Sequence, residues 1–382
     1  MRACEARLKK TFRIVFSLLE AVSVFISKLC RFARAKIVSS WCVVFEGRGR
    51  RGDRGGSSSA ALYKYLWSYM SPTQMNVSVV IPTYNRAKFL REAIESALSQ
   101  TLPPMGVYVV DDASTDETPQ LMAQWYGANP KVHYLRLSEN SGPAYARMIG
   151  VQAAQTEWIA FLDSDDVWAP NHLENASRII AENPHVRLIY AQRSHINKDG
   201  EVILDRVIED WSGNISDVLF KRIIFRPSQI IVSKDIYQQV ASKIPIEMKD
   251  IYFVEDYIFG VFVAYFYHDK IYVSKECTVF MRIHDNQSYH QSDRLRNNLL
   301  KAVDIIFSTI KSLESYSALT KAVNLFHAAY FLWRAGAWGE AWKNFLAGFW
   351  VAPASLRLKD FWVTLSRLIW PPRARSLFRP GR

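Results

Sequence analysis

The chain has 382 residues, of which 49% are hydrophobic and 22% are charged, and its formal net charge at pH 7 is +12. This composition is typical of a protein that buries a core, and it excludes fibrous and disordered classes. The positive charge lies at the two ends, with +9 in residues 1–56 and +6 in residues 351–382, so the acidic body between them argues against nucleic-acid binding.

The first segment, residues 1–69, is interpreted as a basic N-terminal extension that is disordered or not part of the native protein. Its apolar run Ile14–Leu29 contains Glu20 and is shorter than the about twenty residues that span a bilayer. Residues 47–59 are mostly Gly, Arg and Ser, which indicates a flexible boundary. The cysteines show no paired spacing, so we predict neither disulfides nor a zinc site, and a cytoplasmic location.

After this boundary, strand-like apolar runs alternate with amphipathic helical patterns. The predicted strands are Val77–Ile81, Val107–Val110, Val132–Leu137 and Trp158–Leu162. The predicted helices between them are Lys88–Gln100, Thr118–Tyr126 and Pro143–Ala154. The alternation predicts an α/β domain over residues 70–294, with a Rossmann-like, doubly wound and mostly parallel sheet. In such sheets, ligands bind beyond the carboxyl ends of the strands.

Polar residues follow three of these strands. They are Pro82 to Arg86 after the first strand, Asp111 and Asp112 after the second, and Asp163 to Asp166 after the fourth. Each alone is also typical of a turn or helix cap, but carboxylates gathered at one edge need a cation or hydrogen-bond donors between them. Asp163 and Asp165 offer oxygen ligands for a divalent ion shared with a diphosphate. Gly142 opens the helix that carries Arg147, which suits an anion or a polar sugar.

Two later motifs add candidate catalytic groups. Glu255 and Asp256 precede the apolar pattern Ile258–Tyr267. Acidic residues there either stabilise the start of a helix or act as a general base that takes a proton from an attacking hydroxyl. His284 follows the strand-like run Cys277–Phe280 and is a candidate to complete a metal or diphosphate site.

In their order, these motifs resemble the family 2 glycosyltransferases with the GT-A fold. The motifs are VSVVIPTYNR, VVDDASTDET, ENSGPAYARMIG, FLDSDD, VED and MRIHDNQS, within residues 76–290. The resemblance implies a nucleotide diphosphate sugar donor, inversion at the anomeric carbon by direct displacement, and a Mn²⁺ or Mg²⁺ cofactor bound by Asp165 and His284. In the second motif, Ala113 stands where many relatives have glycine.

The resemblance also implies roles for the remaining matching residues. Those that bind the nucleotide sugar are Pro82, Tyr84, Asn85, Asp112, Gly142, Arg147 and Asp163. Within this set, Asp112 would contact the edge of the base, and Asp163 would face the ribose and the donor sugar. Asp256 would be the catalytic base, with Glu255 as the alternative.

Residues 295–382 are predicted to form a helical extension. Its helices are Leu299–Leu313, Leu319–Arg334 and Trp338–Val351, and the last two are separated by Gly336. The following stretch, Leu356–Trp370, mixes apolar and basic residues, which is typical of a segment that lies on an anionic membrane surface. A strand at Gln229–Val232 is also predicted before this region.

These observations together predict a cytoplasmic, metal-dependent inverting glycosyltransferase at the inner face of the plasma membrane. Its acceptor would be a glycan or a lipid-linked glycan destined for the cell surface. The alternative is a non-catalytic relative that binds a nucleotide sugar and uses its helical tail to bind a protein partner, since the fold alone does not decide between them.

Overall fold

The computed structural model describes residues 75–207, 209–220, 225–245, 254–284, 292–334, 336–357 and 361–365. The predicted extension at residues 1–69 lies outside these ranges, and so do residues 366–382. None of the described helices combines the length and the hydropathy that are needed to span a bilayer.

The strands found among the described residues form one sheet. In chain order they are β1 (Val77–Thr83), β2 (Gly106–Asp111), β3 (Val132–Arg136), β4 (Trp158–Phe161), β5 (Val167–Trp168), β6 (Leu188–Ile196), β7 (Val202–Val207), β8 (Ile230–Ser233) and β9 (Ile271–Arg282). The order across the sheet is β3-β2-β1-β4-β8-β6-β9-β5, and β7 pairs with β6 outside this path.

Helices connect the strands and continue beyond the sheet. They are α1 (Ala87–Leu98), α2 (Thr118–Tyr126), α3 (Pro143–Ala153), α4 (His172–Glu182), α5 (Ile215–Leu219), α6 (Lys234–Lys243), α7 (Glu255–Phe266), α8 (Ser292–Thr309), α9 (Ser317–Arg334) and α10 (Trp338–Val351). Short 3₁₀ turns lie at Pro227–Gln229, Lys311–Tyr316 and Pro353–Arg357. The predicted strands and helices between residues 77 and 162 are confirmed, with ends within two residues of those predicted.

The doubly wound arrangement is confirmed for the first half of the sheet. β1 is parallel to β2 and to β4, and β2 is parallel to β3. Beyond β4 the sheet is mixed, because β8 is antiparallel to both β4 and β6, while β9 is parallel to β6. Thr83 pairs with Asp111, so β1 and β2 end at the same level. The polar segments that follow these strands therefore meet at one edge.

Both faces of the parallel strands are buried. Val79 of β1 belongs to one apolar cluster together with Leu90 and Ile94 of α1. The neighbouring residue Val80 belongs to a second cluster, which also contains Ile258 of α7. A strand with apolar side chains on both faces is the pattern expected of a parallel sheet that is covered by helices on each side.

Close packing fixes α3 against this sheet. A Cβ atom placed on Gly150 of α3 would lie only 2.4 Å from Cγ1 of Val80 in β1. Glycine is the residue that permits such an approach of the helix backbone. The contact holds α3, and with it Gly142 and Arg147, close to the edge where the strands end.

The first helix of the C-terminal region differs from its prediction. The structure places α8 at Ser292–Thr309, whereas the apolar pattern predicted Leu299–Leu313. The pattern missed the start because the first turn is mostly polar, and it missed the end because the chain changes to a 3₁₀ turn at Lys311. Leu299 and Val303 are buried in the same apolar cluster as α7, so α8 shares the core of the sheet domain.

The helices α9 and α10 confirm the predicted pair and enclose a core of their own. Phe326 of α9 and Phe345 of α10 lie 5.3 Å apart between ring centroids in this cluster. Gly336 connects the two helices with a φ of 80°, a conformation that glycine adopts at little cost. Phe361, from the predicted basic stretch, is buried against Phe326 and Phe345, whereas its neighbour Trp362 is exposed.

Candidate active site

The segments that follow β1 and β2 are tied together by Asn85. Its Oδ1 accepts hydrogen bonds from the backbone N–H groups of Thr115 (2.8 Å) and Asp116 (3.2 Å), and its own N–H donates to Ser114 Oγ at 2.9 Å. Asn85 has a φ of 51°, which asparagine tolerates better than most residues. Beside it, Tyr84 is 40% exposed. Asn85 thus fixes the shape of the edge against which a nucleotide base could lie.

Pro82 is placed differently from its neighbours in the first motif. It lies within β1, opposite Val110 of β2, and it is buried. Its main effect in this structure is on the end of the strand, since proline fixes φ and lacks an N–H group. The residues of this motif that follow the end of the strand are Tyr84, Asn85 and Arg86.

Asp112 holds the start of α3. Its Oδ1 accepts from the N–H of Ser141 at 2.7 Å, and its Oδ2 accepts from the N–H of Gly142 at 2.8 Å. Burial raises the pKa of Asp112, although both backbone donors act in the opposite direction. The carboxylate therefore joins the end of β2 to Gly142, whose φ of 89° turns the chain into the helix.

Asp111 was not assigned a role from the sequence, and the structure makes it an internal support. Its Oδ1 accepts from the N–H of Ser114 at 2.8 Å, and its other oxygen accepts from the Tyr134 hydroxyl. Arg136 Nε lies 3.7 Å from the same carboxylate. The pattern Asp-Asp showed that two acids lie at the end of β2. It did not show that Asp111 binds Ser114 and Tyr134 whereas Asp112 binds the start of α3.

Arg147 connects two predicted parts of the site. Its Nη2 lies 2.6 Å from Asp163 Oδ1 at the end of β4, and its Nη1 lies 3.0 Å from Glu255 Oε1 at the start of α7. Burial lowers the pKa of Arg147, but the Asp163 and Glu255 carboxylates more than offset it and hold that pKa above its ordinary value. The guanidinium is therefore a permanent, buried cation between the sheet and α7.

Glu255 is poised between its two protonation states. Burial raises the pKa of Glu255 most, Arg147 lowers it, and neighbouring Asp256 raises it. Together these effects give a pKa of about 7 in place of the ordinary 4.5. Among the described residues, Glu255 Oε2 and Arg147 Nε are buried without a hydrogen-bond partner. A substrate hydroxyl is one group that could satisfy them.

Asp256 occupies the first turn of α7 beside a cavity. Its Oδ1 accepts a hydrogen bond of 2.7 Å from the N–H of Tyr257. The cavity is mostly apolar, and Arg147, Pro227 and Glu255 also line it. Asp256 and Arg147 therefore border the same cavity.

Asp165 and His284 meet across the sheet edge. His284 Nε2 lies 3.0 Å from Asp165 Oδ2, although 119 residues separate them in the chain. Arg86 Nε lies 3.9 Å from the same oxygen. No group of three or more His, Cys, Asp or Glu side chains arranged for a metal occurs in the described ranges. A carboxylate and an imidazole nevertheless suit a Mn²⁺ ion that takes its other ligands from a substrate diphosphate.

Arg282 is a supporting residue whose role the sequence did not reveal. It is buried, its Nε donates to the carbonyl oxygen of Asp165 at 3.0 Å, and its Nη2 lies 2.7 Å from Glu92 Oε2. Its backbone N–H donates to Asp166 Oδ1 at 3.0 Å. Asp166 is buried, as the turn-and-cap alternative implied, and burial raises its pKa well above the usual range.

A second cluster of charges joins β6 to the irregular segments that follow it, and the sequence did not predict it either. Glu209 binds Arg193 (2.9 Å) and Arg226 (3.2 Å), and it accepts a hydrogen bond from the Tyr190 hydroxyl. The pKa of Arg226 is raised because nearby anions, including Asp256, outweigh its burial. These residues are scattered between positions 190 and 226 and share no motif, so only the fold brings them together.

Part of the chain is similar to known proteins. The model of the family described as Glycosyl transferase family 2 matches residues 78–238. A Bacillus subtilis (strain 168) protein, provisionally named teichuronic acid biosynthesis glycosyltransferase TuaG, is 38% identical over 106 residues. That match covers 28% of this chain and 42% of the relative.

Two further proteins are similar. The succinoglycan biosynthesis protein ExoO of Rhizobium meliloti (strain 1021) is 45% identical over 98 residues, which cover 26% of this chain and 28% of that protein. The crystal structure of residues 1–349 of S. aureus TarS has a TM-score of 0.51 and 21% identity, and it covers 72% of this chain and 80% of its own. The chain thus spans less than half of the length of the two curated relatives, and the structural match supports the GT-A fold.

Proposed function

Because the chain carries a domain of glycosyl transferase family 2 at residues 78–238, we propose that it transfers a sugar from a nucleotide diphosphate donor to an acceptor hydroxyl with inversion. The single observation that carries the proposal is the bridge through Arg147. This side chain contacts Asp163, which we assign to the donor side, and Glu255, which precedes Asp256, so it links the end of β4 to the cavity that Asp256 borders.

In this proposal the nucleotide occupies the edge formed by the loops after β1 and β2. Tyr84 and Asn85 lie against the base, and Asp112 shapes the pocket by holding Ser141 and Gly142 at the start of α3. The N–H groups at that start favour a partly negative ligand atom. Asp163 accepts from a hydroxyl of the ribose or of the donor sugar, and Arg147 keeps its carboxylate in place.

Transfer follows from the position of Asp256. The acceptor hydroxyl loses its proton to the Asp256 carboxylate as its oxygen bonds to the anomeric carbon. The bond from that carbon to the diphosphate oxygen breaks on the opposite face, and the electron pair leaves with the nucleoside diphosphate. Attack from the face opposite the leaving group inverts the configuration. Proton transfer to a positioned base contributes about 10²–10⁴-fold to a rate.

Glu255 and Arg147 position this base. The ion pair anchors the first turn of α7 to α3, and the charge of Glu255 is compensated by the guanidinium. Asp165 and His284 are the residues that would hold a divalent ion, Mn²⁺ or Mg²⁺, whose charge would stabilise the departing diphosphate. Arg86, close to Asp165, adds a cation on the same side.

The acceptor is proposed from the relatives. Their names refer to teichuronic acid and succinoglycan biosynthesis, so we assign the acceptor to a growing cell-surface glycan, free or linked to a lipid. A lipid-linked acceptor would place the reaction at the inner face of the plasma membrane, where the basic C-terminal stretch would contact anionic lipids.

A panel of nucleotide sugars tests the donor. Purified full-length protein is mixed with UDP, GDP and dTDP sugars, with Mn²⁺ or with a chelator, and the melting temperature is measured. We expect one class of donor to raise the melting temperature when the ion is present, because a ligand of the native state stabilises it. Slow release of the nucleoside diphosphate should accompany this shift. A panel in which no donor binds or is cleaved contradicts the proposal.

A further inference from the structure

The outer face of α10 carries large apolar side chains that are exposed. The residues that face the core of the helical pair are Ala341, Asn344, Phe345 and Gly348. The opposite face, at helical spacing, is formed by Gly339, Lys343, Leu346 and Trp350. Leu346 is 48% exposed and Trp350 is 75% exposed. An exposed indole of this size needs an explanation.

The turn after α10 extends this apolar surface. Trp362 is 56% exposed, and its indole Nε1 donates to the carbonyl oxygen of Leu356 at 2.8 Å, which holds the two residues together. A chain of ring contacts links Trp350 to Phe349 (5.8 Å), Phe349 to Phe361 (6.1 Å) and Phe361 to Trp362 (5.2 Å). Trp350 and Trp362 therefore lie at the same end of the helical pair.

We propose that this surface, defined as Leu346, Trp350, Val351, Leu356 and Trp362, docks the protein onto the headgroup region of an anionic membrane. This surface differs from the stretch Leu356–Trp370 that the sequence indicated, because the centre of the surface lies on α10. The inference does not rest on the proposed catalytic function.

Charge and side-chain chemistry select a lipid surface as the occupant. Residues 351–382 contain seven Lys and Arg residues against one acidic residue, so the sequence that follows α10 carries a charge complementary to anionic headgroups. Tryptophan is enriched where hydrocarbon meets water, because its ring is apolar and its N–H is polar. Lys343 on the same face is exposed and pairs with Glu340 at 3.0 Å.

The geometry indicates a helix that lies on the bilayer. α10 has 14 residues, so its length is about 21 Å at 1.5 Å per residue. A hydrocarbon core is about 30 Å thick, and the other face of α10 is already occupied by α9. The helix can therefore insert the side chains of one face without leaving its place in the protein.

Vesicle binding by the full-length chain tests this surface. Trp350→Glu and the pair Trp350→Glu with Trp362→Glu are compared with the natural protein on phosphatidylcholine vesicles, with and without phosphatidylglycerol. We expect tight co-sedimentation only with the anionic vesicles, and a loss of at least about tenfold in the paired variant. The control is Met105→Glu, which adds the same charge at a residue that is 66% exposed on the sheet domain.

Salt and fluorescence separate the apolar contact from general attraction of basic residues. High salt should weaken vesicle binding by the natural protein and by all the variants, but the natural protein should still bind more tightly than the paired variant. Trp350→Phe should keep its binding while losing part of the fluorescence quenching by brominated lipids.

Equal partitioning of the natural protein and the paired variant overturns the proposal. It is also overturned if the natural protein ignores vesicles and forms dimers that Trp350→Glu dissociates, since the occupant would then be a second copy.

Discussion

The two sides of the active site are held in place by different kinds of contact. On the strand side, Asn85 and Asp112 are fixed by backbone N–H groups of nearby loops. At the start of α7, Glu255 is fixed by the side chain of Arg147, which lies 108 residues earlier in the chain. The strand side is thus a set of turns, whereas the α7 side is a set of charges. We therefore expect substitutions on the strand side to change the shape of the loops, and substitutions on the α7 side to change the charges of the site.

The largest effect is expected from the proposed catalytic base. Asp256→Asn keeps the shape of the first turn of α7 but removes the carboxylate that we propose accepts the proton, so transfer should fall by about 10²–10⁴-fold. Donor affinity, measured by calorimetry, should stay unchanged because the strand side is intact. Asp269→Asn, an exposed acid just after α7, is the control and should keep full activity. Full activity in Asp256→Asn would assign the base to Glu255 instead.

The next effect concerns the charge bridge. Arg147→Met leaves Asp163 and the buried Glu255 without their cation, and breaking a buried pair costs about 3–5 kcal/mol in the free energy of unfolding. Denaturant unfolding measures this loss. Arg178→Met is the matched control, because Arg178 also contacts two carboxylates but is exposed, so its loss should cost about 1 kcal/mol or less. Equal losses in both variants would show that the bridge adds no stability.

The pKa of Glu255 gives a pH-dependent prediction on the same side. The folded protein holds this proton up to about pH 7, whereas an unfolded glutamate loses it near pH 4.5. Full stability is therefore present below about pH 4.5 and is lost as the pH rises through about 7. Relative to Glu255→Gln, the natural protein should lose on the order of 2–3 kcal/mol across this range. Urea unfolding at several pH values measures it, and a constant difference would contradict it.

The predicted ion site gives a smaller effect on the strand side. Asp165→Asn weakens an oxygen ligand next to His284, so the affinity for the donor in the presence of Mn²⁺ should fall about tenfold or more. The affinity measured with a chelator should change little. Asp199→Asn, an exposed acid in the β6–β7 turn, is the control. A loss of equal size with and without the ion would mean that Asp165 acts only through local structure.

The smallest effect tests the turn after β2. Ala113 has a φ of 60°, a conformation that an alanine side chain disfavours and a glycine does not. Ala113→Gly should therefore stabilise the protein by up to about 1 kcal/mol, measured by thermal unfolding. Ala123→Gly, on the exposed face of α2, should instead destabilise it by about 1 kcal/mol. Destabilisation by Ala113→Gly would show that the turn carries no strain.

The sequence was most informative where function and local structure share a short segment. The strands of the first half and the groups that follow them were predictable, because a parallel strand and its polar end appear within about ten residues. Asp163 and Asp165 were predicted in this way, because they follow a strand at the edge where ligands bind in such sheets.

The sequence was least informative where a contact joins distant segments. The carboxylate of Glu209 and the guanidinium of Arg226 lie on irregular chain, and no periodicity shows that they meet. The pairing of Arg147 with Glu255 was missed for the same reason. The exposed face of α10 was missed because apolar residues occur on both of its faces, so the pattern did not distinguish core from surface.

Arg282 contacts residues that the ribosome adds to the chain much earlier than Arg282 itself. Asp165 and Asp166 emerge early, but the residue that anchors them follows more than one hundred positions later, when β9 enters between β6 and β5. Contacts so distant in sequence slow folding. A nascent chain that has not yet presented β9 therefore lacks the side chain that anchors Asp165 and Asp166, so the edge at which we propose that the ion binds forms only after β9 has been translated.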